Sequence, residues 1–167
     1  MARGGNADTG VSGTENFYTD TVDAGADGVL VVDLPPEESK EMSGTWPGSE
    51  LALIRLVAPT TSLDRMMKIT KDAHGFIYLV SKIGVTGSSG LKMESIDRQV
   101  ETLRSVSSLP ICVGFGISTT DDVTAVASVA DGVVIGSAFE QLIENNLDSS
   151  DLAAIISNRV RKYKEAT

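Results

Sequence analysis

The sequence predicts an α/β protein built from parallel βα units, on three observations. Five aliphatic runs of strand length recur along the chain, most of them followed by apolar residues at helical spacing. The runs start roughly 22 to 34 residues apart, close to the ~30-residue βα repeat that forces parallel pairing through crossovers. The last two runs lead straight into glycine-rich loops, and in parallel α/β folds functional groups gather at the C-terminal ends of strands.

The elements follow in order. Residues 1–13 (MARGGNADTGVSG) are rich in Gly, Asn, Asp, Ser and Thr without periodicity and are expected to form a flexible tail, leaving 14–167 as a single α/β domain. Thr14 is expected to cap a short helix with Phe17, Thr21 and Ala24 on one face and Gly25 ending it. Gly28 to Asp33 is a continuous aliphatic run, the mark of a strand buried on both faces. Gly44, Pro47 and Gly48 interrupt the next helix, which is expected to be about two turns long. Leu51 to Val57 reads as the second strand, and Ser62 caps a helix carrying Leu63, Met66, Met67 and Ile69. Phe76 to Val80 is the third strand, followed by a long polar loop and a helix with Ile96, Val100 and Leu103 on its stripe. Leu109 to Val113 is the fourth, with an early proline of the kind tolerated at a strand's first positions. Val123, Val126 and Val129 give the next helix, and Gly132 to Ile135 the fifth strand. A helical tail starts with Phe139, Leu142 and Ile143 and ends with Leu152, Ile155, Ile156 and Val160 on one face. A doubly wound sheet and a (β/α)₈ barrel both fit this periodicity. A closed barrel usually takes about 250 residues, and five units fall three short of it.

Composition narrows the function classes. A net charge of −9 argues against nucleic-acid and anionic-membrane partners, so a small anion would have to be held by backbone dipoles. Cys112, the single cysteine, excludes an intramolecular disulfide framework and a cysteine zinc cluster. With no apolar run near membrane-spanning length, the chain is expected to be soluble and cytoplasmic, or plastid-located in a eukaryote.

Chemistry is expected at the glycines. Gly114 to Thr119 follows the fourth strand and Gly136-Ser137 the fifth. Glycine lets the backbone approach an oxyanion, and a helix start offers unpaired N–H groups with a favourable dipole. Either loop alone is as well read as a tight βα turn; the two together favour a phosphate held between them. Ser81 to Gly90 is a long glycine-rich loop beside them, read either as a connection or as a lid.

DLPPEE at Asp33 to Glu38, APTT at Ala58 to Thr61, GFIYLVSKIGVTG at Gly75 to Gly87, VGFGIS at Val113 to Ser118 and ADGVVIGSAF at Ala130 to Phe139 form an ordered series. In order and spacing the series resembles the signatures of tryptophan synthase α subunits, over residues 14 to 145. The resemblance implies a partial (β/α)₈ TIM barrel of the phosphate-binding type, holding about five parallel βα units, the fourth to the eighth. It implies a lyase of tryptophan biosynthesis that cleaves indole-3-glycerol phosphate to indole and glyceraldehyde 3-phosphate. Such a subunit carries no cofactor or metal and passes indole to a pyridoxal-phosphate β subunit.

By the same resemblance Gly87, Phe115, Gly116, Gly136 and Ser137 match phosphate contacts, Tyr78 a tyrosine of the indole-glycerol pocket, and Thr86 a lid threonine that meets a catalytic aspartate. Lys82 stands where some members carry arginine, a different hydrogen-bonder. Asp33, at a strand end, is read equally as a substrate-side residue or as a cap for the turn before Pro35. The family's general acid/base pair, a glutamate ending the second strand and an aspartate in the following loop, matches no residue of this chain. Glu15, Asp20, Asp23 and Asp27 fall in or beside the first helix and are read as solvated charges. His74 is read as a surface histidine, Cys112 as a small core residue, and Trp46 as cover for the core's edge.

Two readings follow for the chain alone. One is the substrate-binding part of the lyase, with little turnover because proton transfer needs positioned carboxyls. The other is a non-catalytic phosphate-binding fragment that associates with itself or with a missing half through unpaired strand edges. A related barrel acting on another phosphate is disfavoured by the G-V-T-G lid. The β subunit is expected to bind weakly or not at all.

Overall fold

The computed structural model describes residues 13–32, 34–39, 50–81 and 93–167. Helix α1 (Thr14–Asp23) precedes strand β1 (Gly28–Leu30), and strand β2 (Ala52–Val57) is followed by α2 (Leu63–Lys71). Then come β3 (Ile77–Val80), α3 (Met93–Arg104), β4 (Ile111–Gly114), α4 (Thr120–Ala127), β5 (Gly132–Val134), α5 (Ser137–Glu144) and α6 (Leu152–Glu165).

The five strands are all parallel and lie in sequential order, β1-β2-β3-β4-β5. Each crossover therefore advances one place in the same direction, with no reversal at which a doubly wound sheet would change side. This is half of a barrel.

Strand alternation shows which face the helices cover. Leu53 and Val57, Ile77 and Leu79, and Ile111 and Val113 are buried, and all of these but Leu53 form, with Met66, Ile96, Val100, Leu103, Val123 and Val126, the core between sheet and helices. Each such aliphatic side chain contributes roughly 1.5–3 kcal/mol when removed from water. The alternate residues Ile54, Leu56, Tyr78, Val80, Cys112 and Val134 line the inner face and are only half-buried. Arg55 shares the core-side parity and is 4% exposed, and its Nε and Nη2 meet no hydrogen-bond partner. Burial lowers its pKa, with Asp72 opposing.

Several sequence expectations are corrected. The first aliphatic run pairs over only three residues, and Leu30 and Val32 are exposed rather than buried on both faces, because an edge strand has a neighbour on one side only. On α1 the buried residue is Tyr18 while Phe17 is exposed, and Gly13 occupies the N-cap position. Gly25 does end that helix: at φ 83° its N–H reaches Val22 O and that of Ala26 reaches Thr21 O, a Schellman closure. On α2, capped by Ser62 as expected, Met66, Ile69 and Thr70 turn inward while Leu63 and Met67 stay exposed. On α6 it is Tyr163 that is buried, and Val160 is exposed. Pro110 lies just before β4 and uses its carbonyl to accept from Ile77 N–H. The interrupted segment with Trp46 lies outside the described residues. Among the described residues no helix is long and apolar enough to cross a membrane.

The far end of the strands is built for stability. Asp131, just before β5, accepts from Ile111 N–H at 2.9 Å and from Arg104 at 3.0 Å. The Ile111 hydrogen bond, with Arg104 adding to it, holds its carboxyl below the usual range. His74 is exposed at this same end, away from the glycine loops.

Candidate functional site

β4 and β5 pair in register with Gly114 opposite Val134. Two residues beyond that rung stand Gly116 on one strand and Gly136 on the other, so both loops leave the sheet at the same height.

The loop after β4 is strained and tied down. Phe115 has φ 86° and Gly116 φ 79°, two successive left-handed residues. For phenylalanine this conformation costs roughly 1–2 kcal/mol, and strain of that kind persists only where the surroundings over-determine it. Ser81, at the end of β3, supplies part of the hold: its N–H donates to Gly114 O at 2.7 Å. Its hydroxyl lies 2.8 Å from Gly114 O and 2.5 Å from Phe115 O, one proton shared between two carbonyls. The other part is a capping box on α4. Thr119 Oγ1 accepts from Asp122 N–H, while the Asp122 carboxylate accepts from Ser118 N–H at 3.2 Å and Thr119 N–H at 3.0 Å. Partial burial pushes the Asp122 carboxyl up, but the hydrogen bonds from Thr119 and Ser118 outweigh it and hold the group below its ordinary value.

The loop after β5 is open. Gly136 is the N-cap of α5 with no side-chain cap, and the first N–H that finds a backbone acceptor is that of Phe139, on Gly136 O at 2.8 Å. Among the described residues the N–H groups of Gly116, Ile117, Gly136, Ser137 and Ala138 therefore have no acceptor. Unpaired N–H groups at a helix start and in a left-handed turn make an anion cradle. Neither loop carries a lysine or arginine, so what these loops offer an anion is backbone N–H groups and the Ser137 hydroxyl.

Tyr78 forms the floor of this corner. A Cβ on Gly114 would stand 2.6 Å from Tyr78 Cε2 and hydroxyl and 2.8 Å from Val134 Cβ, so only glycine lets the ring lie there. Burial pushes the Tyr78 phenol above its usual value and keeps it a neutral hydrogen-bonding group. On the same face a Cβ on Gly132 would meet Cys112 Sγ at 2.7 Å. Burial, with Asp131 adding to it, raises the Cys112 pKa, as for a packing thiol rather than a nucleophile.

Of the residues expected at the site, the fold brings Tyr78, Phe115, Gly116, Gly136 and Ser137 to one corner. Asp33, Lys82, Thr86 and Gly87 lie outside the described residues. Asp20, Asp23 and Asp27 are exposed in and after α1, before β1 begins. Sequence reasoning missed Ser81, Asp122 and Tyr163. Asp122 carries a readable signal, the Thr-x-x-Asp spacing of a capping box; the other two act across long sequence separations.

The model of the family "Tryptophan synthase alpha chain" matches residues 10–167. The tryptophan synthase alpha chain of Desulfosudis oleivorans is 57% identical over 155 residues, covering 93% of this chain and 58% of that protein. That of Desulfatibacillum aliphaticivorans is 54% identical over 155 residues, with the same coverage of 93% and 58%. Among solved structures, the tryptophan synthase subunit alpha from Campylobacter jejuni superposes with a TM-score of 0.75 at 34% identity, over 87% of this chain and 57% of that one. The chain thus spans a little under three fifths of the length of the curated relatives named here.

Proposed function

The chain belongs to the tryptophan synthase alpha chain family, and from that premise we propose that it is the phosphate-holding part of an indole-3-glycerol phosphate lyase. In this reading the substrate's phosphate sits between the two glycine loops, its glycerol and indole extend over Tyr78, and Asp33 is a further substrate-side residue. Thr86 and Gly87 belong to the lid, and Gly87 adds a phosphate contact. Ser137 offers a hydroxyl beside its N–H. The observation that carries the reading is the set of five N–H groups, just beyond the ends of adjacent strands, that have no acceptor among the described residues.

The chemistry sets what these residues can do alone. Hydrogen bonds to a charged group contribute roughly 1.5–3 kcal/mol each, offset by the loss of water around phosphate and by a net charge of −9. Millimolar affinity, about 4 kcal/mol, is the expected balance. Releasing indole requires a proton delivered to an indole carbon and others removed from a hydroxyl and the ring nitrogen. No residue here matches the family's acid/base pair, so indole release by this chain alone is expected at background, and a β subunit is expected to bind weakly.

Titration calorimetry with glycerol phosphate and an indole assay on one preparation test the reading. Wild type should bind without turnover, and Gly116→Asp, which sets a carboxylate in the cradle, should not bind. Turnover by the pure chain would instead assign acid/base work to a carboxylate present here, Asp33 first. Unchanged affinity in Gly116→Asp would reduce the glycine loops to turns.

The outer edges of β1 and β5 pair with no strand among the described residues, which favours a second reading for the isolated chain. Such edges, beside a half-buried apolar inner face, are expected to drive self-association, measurable by light scattering.

A further inference from the structure

Helix α6 reaches the glycine loop through one side chain. Tyr163, 6% exposed in the last turns of that helix, donates its hydroxyl proton to Ser118 O at 2.6 Å. Arg159 lies 3.4 Å from the same hydroxyl and donates to it, with its guanidinium 5.8 Å from the ring centroid. Phe139 of α5 meets the ring edge-on at 5.7 Å, so the tyrosine is held from two helices.

The contact gains its meaning from what lies on the other side of the same peptide unit. Ser118 C=O and Thr119 N–H belong to one planar amide. The carbonyl is taken by Tyr163 and the N–H by the Asp122 carboxylate, so this amide cannot rotate without breaking a hydrogen bond at each end. It lies two residues past Gly116, where the chain must leave the left-handed Phe115-Gly116 turn and enter α4. Ser81 fixes the start of the loop, and the clamped amide fixes its end. Between them the Gly116 and Ile117 N–H groups keep one direction.

We infer that Tyr163 is a positioning residue for the phosphate cradle, acting through the Ser118 carbonyl without touching the ligand. The inference rests on the phosphate-binding reading proposed above. Arg159 supports it by polarising the hydroxyl, since hydrogen bonds in series strengthen one another.

The test compares two substitutions on the α4–α6 contact in the full-length chain, with inorganic phosphate as the probe. Tyr163→Phe removes the hydroxyl and keeps the ring packing. Thr124→Val removes a separate hydrogen bond, from the α4 hydroxyl to Ala166 O just past α6 at 2.9 Å, which does not involve the loop. A neutral hydrogen bond is worth about 1 kcal/mol, so Thr124→Val should lose up to that much stability and Tyr163→Phe, which also gives up the bond from Arg159, at least as much. Only Tyr163→Phe should weaken phosphate binding, by about five-fold on that figure, and speed amide hydrogen exchange at Thr119. Equal phosphate affinities in the two variants would overturn the inference and leave Tyr163 a packing residue. If wild type binds no phosphate, the proposed function fails. Thr119 exchange then decides the clamp by itself: faster in Tyr163→Phe alone upholds it, and unchanged refutes it.

Discussion

The loop after β4 and the loop after β5 stand side by side, and each leads into a helix, but one helix start is closed and the other open. At α4 the chain's own Asp122 takes the N–H groups of Ser118 and Thr119, and a carboxylate already sits at the positive end of the dipole. At α5 Gly136 offers no capping side chain, and the N–H groups of Ser137 and Ala138 have no acceptor among the described residues. On the phosphate-binding reading proposed above, the two loops divide the work. The β4 loop contributes the N–H groups of a strained left-handed turn, held by Ser81, Asp122 and Tyr163. The β5 loop contributes the helix dipole. An anion site built from two glycine loops does not need two open helix starts, and a self-capped helix supplies the rigidity that an open one lacks.

The largest expected effect comes from making the two helix starts alike. A Cβ on Gly136 meets nothing within 4 Å, so the side chain of Gly136→Asp has room. It would set a carboxylate on the α5 N-terminus as Asp122 does on α4. Phosphate binding should be lost, while stability shifts by only a few tenths of a kcal/mol, the usual difference between glycine and aspartate at a cap. Retained binding in calorimetry would mean that the α5 dipole plays no part.

A smaller effect comes from opening the closed start. Asp122→Asn keeps an acceptor but loses the charge, and should cost roughly 0.3–1 kcal/mol in urea unfolding at neutral pH, the ordinary worth of a carboxylate at a helix N-terminus. The Asp122 pKa is lowered in the folded chain, so its contribution is complete above the unfolded aspartate value of about 3.9. It is lost as pH falls through the lower folded value. The gap between wild type and Asp122→Asn should accordingly close in acid below that range, and a gap that persists there would assign the stabilisation to something other than the charge.

Much of this was legible in the sequence. The spacing of aliphatic runs located all five strands, and Ile96, Val100 and Leu103 marked the buried stripe of α3 correctly. The glycines after the fourth and fifth runs marked the corner where the loops meet. What periodicity could not carry was parity and reach. LALIRLV read as a strand, but nothing local says that Arg55 falls in step with Leu53 and Val57 on the helix-facing side. The tail helix showed an apolar face ending at Val160, yet the residue that anchors it is Tyr163, whose partner Ser118 lies 45 positions away. Hydrogen bonds across such separations leave no period to read. The direction of an N–H is likewise set by φ at Phe115 and Gly116, which composition does not encode for a phenylalanine.

The central claim is that these backbone donors, and not their capped neighbours, hold a phosphate. Amide nitrogen and proton shifts followed by NMR during a phosphate titration test it residue by residue. The signals of Gly116, Ile117, Gly136, Ser137 and Ala138 should move together and saturate at about millimolar concentration. Ser118 and Thr119, already bonded to Asp122, should stay nearly still. Shifts centred on Ser118 and Thr119, or none at either loop, would contradict it.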